Sequence, residues 1–109
     1  MPAENTDVVH GTLDMLILKS LSLEPMHAFG IARRIEQVSR DVFRVNPGSL
    51  LLAFRRLEGE GTVTSEWRDT ESNRRAKYYR ITAKGRRRLE SEQRDWERRV
   101  AAIGRLLEA

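Results

Sequence analysis

One segment constrains the fold of this chain more than any other, because residues 46–61 carry signals for both ends of a helix. Asn46 can accept a hydrogen bond from the first free amides of a helix, and Pro47 fits the first helical position. Gly61 suits the left-handed residue that closes a helix, with Gly59 as the alternative. The helical spacing predicts one buried face, which is formed by Leu50, Ala53, Phe54 and Leu57.

The opposite face of this helix combines glycines with one apolar and one cationic side chain. At about 100° per residue, it holds Gly48, Leu52, Arg55 and Gly59, with Arg56 at its flank. A short helix that is apolar behind and cationic on its outer middle is the kind of element that enters the major groove of DNA. A solvated face that happens to carry two arginines is the alternative, and the helix alone does not distinguish the two.

The chain before this central helix predicts a flexible arm and a first helix. Residues 1–10 are expected to form the arm, and Thr12 or Gly11 can cap a helix that runs to about Leu21. Apolar positions cover most of its circumference, and they include Leu13, Met15, Leu16, Ile17 and Leu18. A helix that is apolar on so many sides is buried from more than one direction, which fits contact with a second subunit as well as with its own core.

A second helix is predicted over about Ala28 to Val38, after the break at Pro25. Its apolar face is expected to consist of Phe29, Ile31, Ile35 and Val38. Residues 42–45 then lead to the central helix as a short connector or a small strand.

After the central helix the apolar period changes from 3.6 to 2, which predicts two strands, residues 62–68 and residues 77–81. The polar segment between them, residues 69–76, is typical of a loop. The two strands therefore form a hairpin. Trp67 on the first strand and Tyr79 on the second are expected to anchor this hairpin to the core.

Thr82 can cap a final helix that runs from Ala83 to near the C-terminus. Residues recur in it at steps of four and three for almost three heptads, as in the seam of a coiled coil. These positions are Leu89, Gln93, Trp96, Val100, Ile103 and Leu107. Because a lone helix cannot bury such a seam, we expect a two-fold homodimer whose contacts also include Leu13, Leu16 and Ile17. Folding back onto its own domain is the alternative for the first half of this helix, and a weaker alternative for the half beyond Trp96.

The formal net charge of +4 hides a strong segregation of charge. Residues 72–89 carry eight basic residues and no acid, whereas residues 1–43 carry four basic and six acidic residues. A patch this concentrated favours a polyanionic partner, nucleic acid first and an anionic membrane surface second. The membrane is the weaker interpretation, because the cations lie on a hairpin and a helix start instead of along one amphipathic face.

The composition excludes several classes of function. The chain has no cysteine, which removes disulfides, thiolate metal sites and thiol catalysis. His10 and His27 are far apart in sequence and no catalytic constellation stands out, so we expect no metal, no cofactor and no enzymatic activity. Without a signal peptide or an apolar run of about 20 residues, the chain is expected to be a cytoplasmic protein that does not enter the membrane.

The order of elements predicts a mainly α (α+β) fold, a winged helix-turn-helix with a long C-terminal dimerisation helix. The expected boundaries are 1–10 for the arm, 11–82 for the DNA-binding domain and 83–109 for the dimerisation helix. In this fold the third helix enters the major groove, and the hairpin follows the backbone or the minor groove. The basic features of the sequence lie on the elements that would face DNA.

Several motifs follow one another in a fixed order: GTLDMLIL (residues 11–18), PMHAFGIA (25–32), NPGSL (46–50) with RLE (56–58), and RRAKYYRIT (74–82). Together they resemble the PadR family of bacterial transcriptional regulators, in its short form with a single dimerising helix. The resemblance implies a dimeric repressor on a palindromic operator, relieved by a small molecule or another signal. Leu51 and Leu52 depart from the family pattern, since relatives usually carry tyrosine and proline at these positions.

The predicted DNA-contacting residues lie on the central helix and the hairpin: Asn46, Ser49, Leu52, Arg55, Arg56, Arg74, Arg75 and Lys77. Arg55 lies furthest from the core stripe, so it is the candidate for gripping guanine, with a phosphate contact as the alternative. Arg56 is expected to bind phosphate or to form a salt bridge within the domain. Leu52 can touch a thymine methyl group; otherwise it is a surface leucine or a protein contact. The helix-start residues suit phosphate, and the hairpin cations suit phosphate or the minor groove.

Trp96 lies in the middle of the seam, where an indole is most often an interface residue. Two such rings across a two-fold axis could also bracket a flat aromatic effector, and the family resemblance allows this because some relatives accommodate drugs there. An alternative function is a winged-helix module that binds protein and has lost specific DNA binding. That alternative is motivated by Leu51 and Leu52 on the central helix.

Overall fold

The computed structural model consists of four helices and one small sheet within the residues that it describes, 12–109. The predicted arm and Gly11 lie outside these residues. The elements are α1 (Leu13–Leu23), β1 (Met26–His27), α2 (Ala28–Val38), α3 (Pro47–Gly59), β2 (Val63–Asp69), β3 (Arg75–Ile81) and α4 (Ala83–Glu108). The hairpin β2–β3 is the wing. The predicted α+β winged helix-turn-helix with a long C-terminal helix is confirmed.

Side chains cap the first turns of α2, α3 and α4. His27 Nδ1, Asn46 Oδ1 and Thr82 Oγ1 each accept a hydrogen bond from the backbone amide three residues further on, at 3.0, 3.1 and 3.0 Å. Pro47 occupies the first position of α3, where its missing N–H has no intrahelical partner to lose. The predicted caps Asn46 and Thr82 are therefore confirmed.

Gly61 turns the chain from α3 into β2. Its φ of 77° lies in the left-handed region, where a side chain would be strained. The amides of Gly61 and Thr62 donate to the carbonyls of Glu58 and Leu57, both at 3.0 Å. This pair of bonds is the glycine-dependent closure of a helix end, so Gly61 and not Gly59 closes α3.

One hydrophobic core lies between the helices and the base of the wing. Its buried members are Leu13, Ile17, Leu18, Leu21, Ile31, Ile35, Leu50, Ala53, Phe54, Leu57, Val63, Tyr79, Ile81 and Leu89. They include all four positions of the predicted stripe on α3. The ring of Phe54 stacks on that of Tyr79 with centroids 3.8 Å apart, which ties α3 to the wing.

The three strands form an antiparallel sheet in the order β1–β3–β2. The connecting loop of the wing, residues 70–74, is shorter than the predicted 69–76 because β3 already begins at Arg75. The sequence does not predict β1, whose Met26 pairs with Tyr79. A strand of two residues is too short to display a period of 2.

Three apolar side chains that the sequence assigns to the core are exposed. Phe29 and Val38 are 75% and 78% exposed, because only Ile31 and Ile35 of α2 are buried in the core. Trp67, the expected hairpin anchor, is 58% exposed, because the outer half of β2 extends past the core. These three predictions are wrong.

The helix α4 starts close against the wing. A Cβ at position 85 would lie 2.2 Å from the carbonyl oxygen of Thr62, so only glycine fits there. Four residues later Leu89 is buried, and beyond it α4 leaves the core. The first third of α4 therefore packs on its own domain. This agrees with the alternative in which the first half of the helix folds back.

The structure divides the predicted dimerisation residues into two groups. Leu13, Ile17 and Leu89 lie in the chain's own core, and Ile17 is 0% exposed, so these three have almost no surface left for a second copy. Leu16 is partly buried against the same core. The remaining residues are exposed on α4, and we call them the seam: Gln93, Trp96, Val100, Ile103 and Leu107.

Candidate nucleic-acid interface

The outer face of α3, defined by Gly48, Leu52, Arg55 and Gly59, has two side chains between two glycines. Both side chains are exposed. A Cβ on Gly59 would meet no atom within 4 Å, and one on Gly48 would meet only the Asn46 Oδ1 atom, at 3.2 Å. A side chain at position 48 would therefore crowd the capping oxygen of Asn46, whereas packing within the chain does not require glycine at position 59.

Two adjacent arginines of α3 have different surroundings. Arg55 is exposed and has no acidic partner among residues 12–109. The guanidinium of Arg56 donates two hydrogen bonds to Asp14 of α1, of which the one from Nε to Oδ2 measures 3.3 Å. Of the two roles expected for Arg56, the structure displays the salt bridge within the domain.

Asp14 also binds Arg88, so one carboxylate joins α1 to both α3 and α4. Nη2 of Arg88 lies 3.1 Å from Oδ2 of Asp14, and its other nitrogens bind Glu60 and Glu92. Burial alone would lower the pKa of Arg88, but the charges of Glu92, Glu60 and Asp14 outweigh it and raise the pKa above its ordinary value. Sequence reasoning missed this network because Asp14 and Arg88 are 74 positions apart and give no local signal.

The three predicted wing cations, like the two arginines of α3, differ in whether their side chains have a partner within the chain. Arg74 lies in the loop at the tip, exposed and without an acidic partner in the described part of the chain. The guanidinium of Arg75 lies 5.8 Å from the centre of the Trp67 ring, within the range of a cation–π contact. Lys77 Nζ lies 3.7 Å from a carboxylate oxygen of Glu58. Of these three side chains, Arg74 is thus the one with neither an ion pair nor an aromatic contact in the described chain.

The other cations of the basic segment also divide into paired and unpaired side chains. Glu66 accepts hydrogen bonds from both Arg68 and Arg80, and the hydrogen bond from Arg68 together with its charge lowers the pKa of Glu66. Three further cations at the start of α4 are exposed and lack an acidic partner within residues 12–109: Lys84, Arg86 and Arg87. Among the cations of α3, the wing and the start of α4, those without an acidic partner within residues 12–109 are therefore Arg55, Arg74, Arg75, Lys84, Arg86 and Arg87.

One hydrogen bond joins the two residues that are predicted to bind phosphate at the start of α3. Asn46 Oδ1 accepts the amide of Ser49, as the cap requires. Asn46 is exposed and Ser49 is partly buried. Their positions at the positive end of α3 remain suited to an anion.

A groove runs between α3 and the wing, and sequence reasoning missed it because Phe29 and Trp67 were assigned to the core. Its walls include Phe29, Leu51, Trp67, Arg74, Arg75 and Lys77. Leu51 is 53% exposed there. The groove therefore combines apolar surface with cations.

A second depression lies between α1 and α4. Its lining consists of Thr12, Met15, Glu92, Asp95, Trp96 and Arg99. The Trp96 side chain is 43% exposed, so its indole is accessible in the single chain.

Residues 12–109 contain neither a cluster of metal-ligating side chains nor a membrane-spanning helix. Their His, Asp and Glu side chains form no group of three or more that could hold a metal ion. None of the described helices is both long enough and apolar enough to cross a bilayer.

The architecture and the exposed cations define a winged helix-turn-helix protein with a long C-terminal helix. The chain belongs to the Transcriptional regulator PadR-like family, whose model matches residues 17–91. The resemblance found in the sequence is thereby confirmed. Since the members of this family are transcriptional regulators, the prediction that the chain is not an enzyme is confirmed as well.

Solved structures of regulators share this fold. A transcriptional regulator from Clostridium thermocellum is 28% identical, with 91% of this chain and 96% of that chain covered and a TM-score of 0.82. A PadR family transcriptional regulator from Eggerthella lenta is 31% identical, with 94% and 88% covered and a TM-score of 0.80. Bacillus subtilis PadR in complex with operator DNA is 17% identical, with 75% and 46% covered and a TM-score of 0.68, and this likeness shows the fold alone.

Proposed function

We propose that the chain is a sequence-specific DNA-binding regulator, a cytoplasmic homodimer that represses from a palindromic operator and is released by a small molecule. The observation that carries this proposal is the distribution of unpaired cations. Arg55 on α3 and Arg74 on the wing have no acidic partner in the described chain, whereas Arg56 and Lys77 beside them are paired. In a winged helix, Arg55 and Arg74 lie on the two elements that face DNA. A protein of the same fold, Bacillus subtilis PadR, has been solved in complex with operator DNA, which supports DNA as the partner by analogy.

Arg55 is the residue proposed to contact a base. Its guanidinium can bind O6 and N7 of a guanine with two hydrogen bonds, and no carboxylate of residues 12–109 competes for it. Arg74 and the exposed cations at the start of α4 are proposed to bind phosphates, which positions the protein but gives no sequence preference.

The experiment compares Arg55→Ala with Arg56→Ala on a duplex selected from a random DNA library. We expect Arg55→Ala to reduce discrimination between the selected and a random duplex by about 1–3 kcal/mol, measured by fluorescence anisotropy. Arg56→Ala is the matched control, because its side chain already binds Asp14, and it should leave discrimination unchanged. If Arg55→Ala weakens both duplexes equally, Arg55 contacts phosphate and not a base.

The homodimer is proposed to form through the seam on α4. Its apolar side chains are exposed in the single chain, and they recur at the spacing of a coiled coil. A two-fold dimer would place two copies of α3 on one side of the duplex. Its half-sites should lie about 10–10.5 base pairs apart, or a multiple of that spacing.

The releasing signal is proposed to be a small aromatic molecule that binds beside Trp96. The half-exposed indole, next to Met15 and Arg99, supports a flat and partly apolar ligand. Trp67→Phe leaves Trp96 as the single tryptophan, so quenching of its emission by acridine would report binding. Quenching without release of the operator would show that this site does not regulate DNA binding.

A second candidate function is a winged-helix module that binds protein. The exposed Phe29, Leu51 and Leu52 favour it, since they form apolar surface around α3. Reversing the charge of Arg55, Arg74 and Arg75 to Glu discriminates the two functions. Unchanged retardation of DNA by this variant would favour the protein-binding module.

A further inference from the structure

The outer face of α3 exposes a leucine where the fold does not need one. Leu52 is 61% exposed and lies on the opposite side of α3 from the buried Leu50 and Phe54. A polar helix former at this position would cost the core nothing. Single exposed leucines are common on protein surfaces. The exposure of Leu52 therefore indicates a contact site only in combination with its neighbours on the helix.

Those neighbours leave Leu52 and Arg55 as the two side chains that project from the outer face. Gly48 lies one turn before Leu52, and Gly59 lies one turn after Arg55. Neither glycine has a positive φ, and a Cβ on Gly59 would meet open space. Because glycine has no side chain, a partner surface can come close to the backbone of α3 at both ends of the outer face. Between the glycines, that partner contacts one branched apolar side chain and one guanidinium.

The major groove of DNA presents one apolar group on its base edges, the C5 methyl group of thymine. A guanidinium in the same groove is best matched by guanine. Side chains three positions apart on a helix are separated by about 5–6 Å at Cβ. Base pairs are stacked at about 3.4 Å, so the two contacts fall within one or two base pairs of each other.

From this arrangement we infer that Leu52 is a specificity-determining residue that recognises the C5 methyl group of a thymine within two base pairs of the guanine bound by Arg55. The inference rests on the proposed function, because it requires α3 to occupy the major groove. Leu51 has a different role, since it lies about 100° away around the helix and lines a separate depression between α2 and α3 together with Phe29 and Pro47.

The test removes the methyl group from the DNA and keeps the rest of the base. Each thymine of a selected duplex is replaced in turn by deoxyuridine, symmetrically in both half-sites, and the affinity of the full chain is measured by fluorescence anisotropy. We expect one position in each half-site to be sensitive, with affinity reduced about fourfold for each methyl group removed, the worth of one buried methylene-sized group.

Variants of the protein assign that sensitivity to Leu52. Leu52→Ala should bind the thymine duplex more weakly than the native chain and lose its preference for thymine over deoxyuridine. Leu52→Met retains an apolar side chain and should keep the preference. Leu51→Ala is the matched control, because it removes an equally large exposed side chain and should leave the preference intact. Thermal unfolding of each variant verifies that the exposed substitutions leave the fold in place.

The outcomes separate this inference from the proposed function. If the native chain selects no duplex at low salt, the proposed function and the inference both fall. If it selects a duplex but binds every deoxyuridine version equally well, only the inference is overturned. It is also overturned if Leu52→Ala keeps the full preference for thymine, because another side chain then contacts the methyl group.

Discussion

The protein has two surfaces on which aliphatic side chains are similarly exposed, and they differ in their charges. On α3, Leu51 and Leu52 are 53% and 61% exposed; on α4, Val100 and Ile103 are 48% and 53% exposed. By exposed apolar area alone, either surface would be a candidate for contact with another protein. The charged side chains beside them are what separates the two.

The charges near the leucines that lack an opposite partner within residues 12–109 are cations, whereas the charges near the seam have both signs. Around α3 the cations without an acidic partner in the described chain include Arg55 and Arg74. The second half of α4 mixes both signs, including an ion pair between Arg98 and Asp95 at 2.6 Å. A surface that meets its own copy must be self-complementary, and mixed charges along a helix allow this. A surface with free cations repels its copy and attracts a polyanion.

The largest expected effect comes from a charge placed in the seam. Ile103→Glu should weaken the homodimer more than about 100-fold, because two-fold symmetry places two unpaired carboxylates in one apolar contact. Sedimentation equilibrium measures the dissociation constant. Leu52→Glu is the matched control on the other surface, where a similarly exposed residue is replaced, and it should leave the mass unchanged. A dimer of Ile103→Glu with native affinity would show that the seam is not the interface.

A smaller effect is expected from single cations of the DNA-facing surface. Arg74→Ala should weaken binding to all duplexes alike and reduce the slope of log affinity against log salt by about 0.9 for each phosphate that the variant no longer neutralises. Arg56→Ala should leave the slope unchanged, because its guanidinium already binds Asp14. The slope is obtained from affinities at several salt concentrations. Equal slopes for Arg74→Ala and the native chain would remove the wing tip from the interface.

The sequence predicts the elements of this fold well, because their ends are marked by local chemistry. Asn46, Thr82 and Gly61 act within a few residues of their own positions, so their roles follow from neighbouring residues alone. The stripe on α3 is predicted for the same reason, since one face of a helix is a local pattern.

The partners of side chains were not predictable, because they depend on how distant elements meet. Arg55 and Arg56 are adjacent, and only the packing of α3 against α1 brings Arg56 to Asp14, 42 positions away. Trp67 follows the alternating pattern of an inward-facing residue, yet the wing extends beyond the core at that point. A periodic pattern gives the direction of a side chain relative to its own strand, but it does not tell whether any core lies in that direction.

The smallest expected effect compares one glycine from each surface. Gly59 on α3 and Gly104 on α4 are both helical, and a Cβ at either would meet no atom within 4 Å in the single chain. Alanine should therefore stabilise either helix, by about 0.5–1 kcal/mol at position 104 inside α4 and by less at position 59, the last residue of α3. For Gly59→Ala we expect this gain in the free energy of unfolding at every protein concentration, because the DNA-facing surface is free in the absence of DNA.

Gly104 lies four positions after Val100 and one after Ile103, at the edge of the seam. In the proposed homodimer a methyl group there would lie beside the second copy of α4, so its effect on unfolding should vary with protein concentration, as it does for any change that also alters dimer affinity. Chemical denaturation at two protein concentrations, one far above the other, measures the difference. If the gain in the free energy of unfolding is independent of protein concentration for both alanine variants, the second half of α4 is as free of contacts in solution as α3 is. The charges around the two surfaces would then not determine which partner each surface binds.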